Sequence, residues 1–218
     1  MSNKTYKIIF ISLIVMGLVF FAVGATFAYY SSPVVSGTGD TIGGSSYKFS
    51  VNLDASAVKS GNLIPVKDNL ILESLNSSYV CEDTRGYRLC SLYRIRFTNS
   101  GSAQTLTGNL KTVSSTYTTT NLKYQLFTLS GSTYSAISDV ASINNTTNSL
   151  NQFKLNNSSI SISLNDGAAS STIKDVYLVI WVSDPNNNQL ADQNKSFTGQ
   201  LSFVSTSGDT ITSTFINS

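Results

Sequence analysis

The sequence predicts an all-β domain, an antiparallel β-sandwich preceded by one N-terminal hydrophobic helix. Three observations carry this expectation. Period-2 alternation of apolar and polar residues returns repeatedly after residue 47, Gly, Ser and Asn separate the alternating runs, and residues 8–28 form one uncharged apolar stretch. No segment beyond residue 30 carries a helical stripe, and short strands divided by turns pack as sandwiches.

Residues 1–30 read as a signal peptide or membrane anchor. Lys4 and Lys7 make a basic flank before the run Ile8 to Ala28. Such a flank stays on the cytoplasmic side, so the chain from about Ser31 is delivered outside. A spanning helix needs roughly 20 apolar residues, and this run is long enough. Gly24, Thr26 and Ala28 form a small-residue processing region at its end, with a cut expected after Ala28. Cleavage and retention are both open at this level. Localisation is therefore at the extracellular face of the cytoplasmic membrane, or secreted.

Residues 31–46, SSPVVSGTGDTIGGSS, read as a flexible Gly/Ser-rich tether whose extended patch is Pro33-Val34-Val35. Val34 and Val35 are its candidate donor segment, able to add a strand to another copy's sheet. The sandwich domain is expected over 47–218. Tyr47, Phe49, Val51 and Leu53 alternate with polar residues; Tyr93, Ile95 and Phe97 alternate with Arg94 and Arg96; Leu122, Tyr124 and Leu126 follow. Further runs are Ile160, Ile162, Leu164 and Phe197, Leu201, Phe203, with Gly199 standing where a side chain belongs. Residues 177–182, YLVIWV, are apolar on both faces, which suits a central strand covered on two sides. The loop after it begins with the calcium-like spacing Asp184, Asn186, Asn188. Gln189 replaces the required Gly and Lys195 the closing Glu, so it reads as a polar loop.

Cys81 and Cys90 are the only cysteines. With Arg85-Gly86 as a two-residue turn, Asp83 lies opposite Arg88 and Cys81 opposite Cys90. Both pairs are then non-hydrogen-bonded, with Cα atoms about 4.5 Å apart, inside the disulfide range of roughly 4.4–6.8 Å. An exported chain would hold them oxidised. A zinc site would need more ligands, and the chain has no His and no other Cys.

The absence of His also removes Ser-His-Asp and Cys-His nucleophiles and HExxH proteases. Charged residues are 12% of the chain, against roughly 25% in ordinary domains, and the net charge is +2. No basic stripe suggests nucleic acid. Asp40, Asp83, Asp166, Asp184, Asp192 and Asp209 read as turn and loop acids rather than as paired glycosidase carboxylates. No catalytic residue, cofactor or metal site is expected, and the chain is not read as an enzyme.

The segment Gly24-Ala25-Thr26-Phe27-Ala28-Tyr29-Tyr30-Ser31 resembles the end of a SipW-dependent-type signal peptide, as in the camelysin and TasA-like exported proteins of Gram-positive bacteria. The cysteine hairpin running into LYRIRFTNSGSAQTLTGNL, and VYLVIWVSD followed by SFTGQLSF, are similar in pattern to exported proteins with such leaders. The resemblance implies a jelly-roll sandwich and, for TasA-like members, biofilm-matrix fibres in which an N-terminal segment completes the next subunit's sheet. The protease activity described for camelysin does not carry over to a chain without His. Type IV pilins share an apolar leader but need a Glu shortly after a Gly, and none occurs before Glu73.

The expectation is a cell-surface or matrix structural protein that self-associates or meets other surface proteins. The alternative is a membrane-anchored binding module for a glycan or surface receptor. It would use sandwich loops, with Tyr79, Tyr117 and Tyr134 as stacking candidates.

Overall fold

The computed structural model describes residues 51–184 and 194–217. The leader, the tether, Tyr47, Phe49 and the calcium-like Asn186 and Asn188 lie outside the described residues.

The domain is an antiparallel β-sandwich of two sheets. The first has the order β1-β2-β11-β4-β5, with β6 also on β4: β1 is Val51–Lys59, β2 Ser91–Asn99, β4 Leu122–Ser130, β5 Thr133–Ala136, β6 Ala141–Ser142 and β11 Thr172–Val182. The second has the order β10-β3-β12-β13, with β7 also on β3: β3 is Gln104–Ser115, β7 Leu150–Gln152, β10 Ser161–Leu164, β12 Phe197–Ser205 and β13 Thr210–Asn217. A small hairpin, β8 Lys154–Leu155 with β9 Ser158–Ser159, stands apart. The chain changes sheet from β2 to β3, back at β4, and again at β7, β11 and β12. β1 with β2, β4 with β5 and β12 with β13 lie side by side, while the runs joined by the crossings face each other across the core.

The alternation read from the sequence sets the inner faces. Tyr93, Ile95 and Phe97 of β2 and Leu122, Tyr124 and Leu126 of β4 are buried in the central core with Leu201 and Phe203 of β12. Val176, Leu178, Ile180 and Val182 join them from β11. Ile162 and Leu164 lie in β10, while Ile160 falls just before it and is only partly buried. Phe97 meets Phe203 edge-on at 4.9 Å between ring centres, and Tyr93 meets Phe215 at 4.5 Å.

Two glycines make room for those rings. A Cβ at Gly199 would lie 2.7 Å from Phe215 and 2.9 Å from Leu110, so the position left empty in the β12 alternation is occupied by neighbouring side chains. A Cβ at Gly108 of β3 would collide with the ring of Phe203, itself fully buried.

Buried amides close the sheet ends. Asn99 donates to the carbonyls of Ser102 and Asn165 and accepts from the Gly101 N–H. Asn151 donates to the Leu110 carbonyl and accepts from the Asn144 N–H. Each buried polar atom so satisfied avoids a cost of roughly 1–3 kcal/mol.

The expectation of no helix beyond the leader is corrected by one short element. A 3-10 turn, Asp68–Leu70, runs into helix α1, Ile71–Leu75. It is too short to repeat an apolar stripe, which is the signal that period-based reading depends on.

Two outcomes follow. Gly108→Ala should lower stability by about 1–3 kcal/mol, as overpacking does, in urea unfolding; an unchanged midpoint would mean that Phe203 yields. Burial pushes the Tyr124 phenol up to about 12 and raises that of Tyr93 as well. The native state therefore keeps protons that the unfolded chain loses near pH 10. Stability should be intact below about pH 10 and fall as pH rises toward about 12, read as a declining melting temperature alongside tyrosinate absorbance.

Candidate functional site

The outer face of the first sheet carries a second apolar cluster. Leu92 of β2, Phe127 of β4, Tyr134 of β5 and Tyr177, Val179 and Trp181 of β11 are buried there. They are covered by the connection between β1 and β2, residues 60–90, which contributes Val66, Ile71, Leu75, Cys81 and Cys90. The expected central strand covered on both sides is β11, and this connection supplies its second cover.

The cover is seated by a series of polar contacts. Val66 donates its N–H to the Val182 carbonyl and accepts from Asp184 N–H, which fastens the segment to the end of β11. The indole N–H of Trp181 donates to Asp68 Oδ1 at 2.8 Å. Asn76, just after α1, grips the outer edge of β5. Its Nδ2 donates to the Tyr134 carbonyl at 3.2 Å and its Oδ1 accepts the Tyr134 N–H at 2.7 Å. One side-chain amide thus does at β5 what a further strand would do.

Cys81 and Cys90 are joined in a disulfide with Cα atoms 4.9 Å apart, as the exported-hairpin reading expected. The register that led to it is corrected by one residue. Gly86 N–H donates to the Asp83 carbonyl and Asp83 N–H to the Tyr87 carbonyl, so the turn holds three residues, Thr84, Arg85 and Gly86. Gly86 has φ +82°, and Asp83 Oδ1 accepts from the N–H groups of Arg85 and Tyr87. This is a type I turn closed by a glycine bulge, which adds one residue to the loop. Arg88 consequently pairs with Glu82, not Asp83, at 2.8 Å, and Lys59 of β1 reaches the same carboxylate at 3.3 Å. Cys81 lies diagonal to Cys90 and meets it through a left-handed backbone, φ 58°.

Past the cover, the same outer face turns polar. Arg96 holds Asp175 through two bonds of 2.8 and 2.7 Å between β2 and β11. Those hydrogen bonds keep the Asp175 carboxyl below its ordinary range and raise the Arg96 guanidinium. The Tyr134 phenol is raised, chiefly by burial.

Of the stacking candidates, Tyr117 and Tyr134 are buried, so only Tyr79 stands exposed, at 57%. Tyr117 packs in the central core and Tyr134 meets Tyr177 edge-on at 5.2 Å. The outward apolar side chains of the cover are Leu70, Leu72, Tyr79 and Tyr87. Gly24, Thr26, Ala28, Val34 and Val35 lie outside the described residues. Asp83, Asp166 and Asp209 sit in turns where their carboxylates accept from nearby N–H or O–H groups. Among the described residues no group of three or more His, Cys, Asp and Glu is placed to hold a metal, and no helix is long and apolar enough to cross a membrane.

Sequence reading did not anticipate the Asp68–Trp181 and Asn76–Tyr134 contacts. Their partners are 113 and 58 residues apart, and no local pattern marks either.

No protein-family model matches the chain, and no curated protein matches it. Among solved structures, the sporulation control protein Spo0M from Bacillus subtilis is similar with a TM-score of 0.34 at 8% identity. The match covers 77% of this chain and spans about half, 48%, of that one. Similarity at that level carries no inference about this protein.

Cys81→Ser should cost roughly 2–3 kcal/mol from the loop-closure entropy of so short a loop. The loss should appear in denaturant unfolding and equal that of Cys90→Ser. A midpoint unmoved in both variants would show that the polar contacts alone seat the cover.

Proposed function

We propose that this chain is an exported cell-surface or extracellular-matrix structural protein, a self-assembling subunit whose N-terminal segment adds a strand to a neighbouring copy. The observation that carries the reading is the coupling of a basic-flanked apolar leader to a disulfide-stapled β-sandwich. Disulfides persist in oxidising surroundings, and the leader directs the chain to such a place. The low charge and the resemblance to SipW-dependent-type leaders agree with a matrix protein of a Gram-positive bacterium. The N-terminal helix, if uncleaved, holds the same domain at the membrane.

Strand addition needs an edge and a donor. Among the described residues β1 pairs on one side only, with β2; its Asp54 and Lys59 guard it against another charged strand but not against the uncharged Pro33-Val34-Val35 patch, so a strand edge is present. The donor is the tether with Val34 and Val35, which would supply most of its apolar contact. At roughly 25 cal/mol per Å2 of apolar surface, two valines contribute on the order of 3 kcal/mol.

The second reading is an anchored binding module. It is favoured by the exposed Leu70, Leu72, Tyr79 and Tyr87 on the cover, an apolar set on a rigidly stapled element.

Head-to-tail strand addition does not close, so it yields open-ended multimers. The mature protein should grow into such multimers with concentration, and the same chain lacking residues 31–46 should remain folded yet lose that growth in sedimentation velocity. Equal open-ended growth by both would sink the donor-strand reading. No growth in either would leave the binding module in front. N-terminal sequencing of the exported protein separates an anchor (Met1 retained) from a secreted subunit (start near Tyr29).

A further inference from the structure

Strand edges are templates for pairing, and folds guard them with charge, bulges, brevity or a covering group. Among the described residues the two sheets have four edges, and three of them are guarded. β1 carries Asp54 and Lys59, and its pairing with β2 shifts between Ala57 and Lys59. β5 is four residues long and is gripped at Tyr134 by the Asn76 amide. At the far edge of the second sheet, β10 has four residues and β7 three.

Among the described residues β13 has no charge, no bulge and no brevity to guard it, and no strand other than β12 hydrogen-bonds to it. Its eight residues, TITSTFIN, include no charged residue, no Pro and no Gly, and its pairing with β12 runs from Phe197–Asn217 to Val204–Thr210 without a shift. Thr210, Thr212 and Thr214 are exposed, while Phe215 anchors the strand in the core beside Tyr93. β1 packs next to β13 in the other layer without hydrogen-bonding to it, so a guarded and an unguarded edge share one corner of the sandwich.

We propose that β13 pairs antiparallel with β13 of a second copy about a two-fold axis near Ser213, joining the two second sheets into one. A second copy fits because the edge is electrostatically self-complementary: no register sets like charges opposite each other. A β1–β1 pair would bring two copies of Asp54 and Lys59 into one ladder. About Ser213, Thr212 of one copy faces Thr214 of the other, and facing threonines are favourable cross-strand pairs. An eight-residue edge alone makes a small interface, so association should depend on concentration. The pairing is isologous and stops at two copies. It therefore differs from, and does not rest on, the open-ended strand addition proposed above.

The test uses the full exported chain in sedimentation velocity over a concentration series. Thr212→Lys/Thr214→Lys places lysines opposite lysines, and Thr212→Glu/Thr214→Glu does the same with carboxylates. Each variant alone should dimerise at least tenfold more weakly than the parent, and an equimolar mixture of the two should restore dimers. Both positions are exposed, and thermal unfolding should match the parent. Should either double variant unfold, the single changes Thr214→Lys and Thr212→Glu, mixed, bring opposite charges to the same pair. A parent that stays monomeric, a lysine variant that dimerises as well as the parent, or folded variants whose mixture fails to associate would overturn the proposal. Dimers that persist in the chain lacking residues 31–46 support β13 pairing whatever becomes of strand addition, and their disappearance there overturns it.

Discussion

A strand that is apolar on both faces cannot lie on the surface of a two-layer sandwich, and β11 is such a strand. Its inner residues, Val176, Leu178, Ile180 and Val182, are satisfied by the opposing sheet. Its outer residues, Tyr177, Val179 and Trp181, need a separate layer. Each fully buried side chain of this size is worth roughly 1.5–3 kcal/mol relative to exposure. The connection between β1 and β2 meets that requirement, and its disulfide, its short helix and its main-chain bonds to the end of β11 all follow from the need to hold it there. Without that cover, the centre of the first sheet would present a Trp, a Tyr and a Val to water.

The cover is made of pieces too small to be stable alone. A five-residue helix lies far below the length at which isolated helices persist, and an isolated hairpin is marginal at best. They are held by the disulfide, which ties the hairpin to the residue just before β2, and by contacts from outside: Asp68 on Trp181, Asn76 on β5 and Lys59 on Glu82. The organisation is therefore tertiary rather than local. It also explains why an element with four outward apolar residues keeps a fixed shape.

This division sets what was legible in the sequence. The two-sheet core was readable because alternation is a local, repeating signal, and Tyr93-Ile95-Phe97 or Leu122-Tyr124-Leu126 declare their inner face directly. The doubly covered strand was readable from its unbroken apolar run, although not the identity of its cover. The disulfide pair was readable from the hairpin spacing of the chain's two cysteines, yet the register assumed for it was off by one. Asp83 binds two N–H groups of the turn and Gly86 adopts a left-handed backbone, which lengthens the loop. Tyr117 and Tyr134 look surface-bound beside Thr and Ser neighbours, and only the packing of distant strands buries them. The short strands β5 to β9 were not readable, since runs of two to four residues give no period to detect.

The chain has a single tryptophan, and it sits at the joint between cover and sheet. Its indole N–H is held by Asp68, a residue of the cover rather than of the sandwich. The emission of this protein therefore reports one boundary and not an average over the molecule. If the cover lifts while both sheets stay intact, the indole meets water, and the colour of the fluorescence shifts red before circular dichroism registers any loss of strand. Evolution has left an optical gauge at the one place where the architecture depends on a borrowed layer.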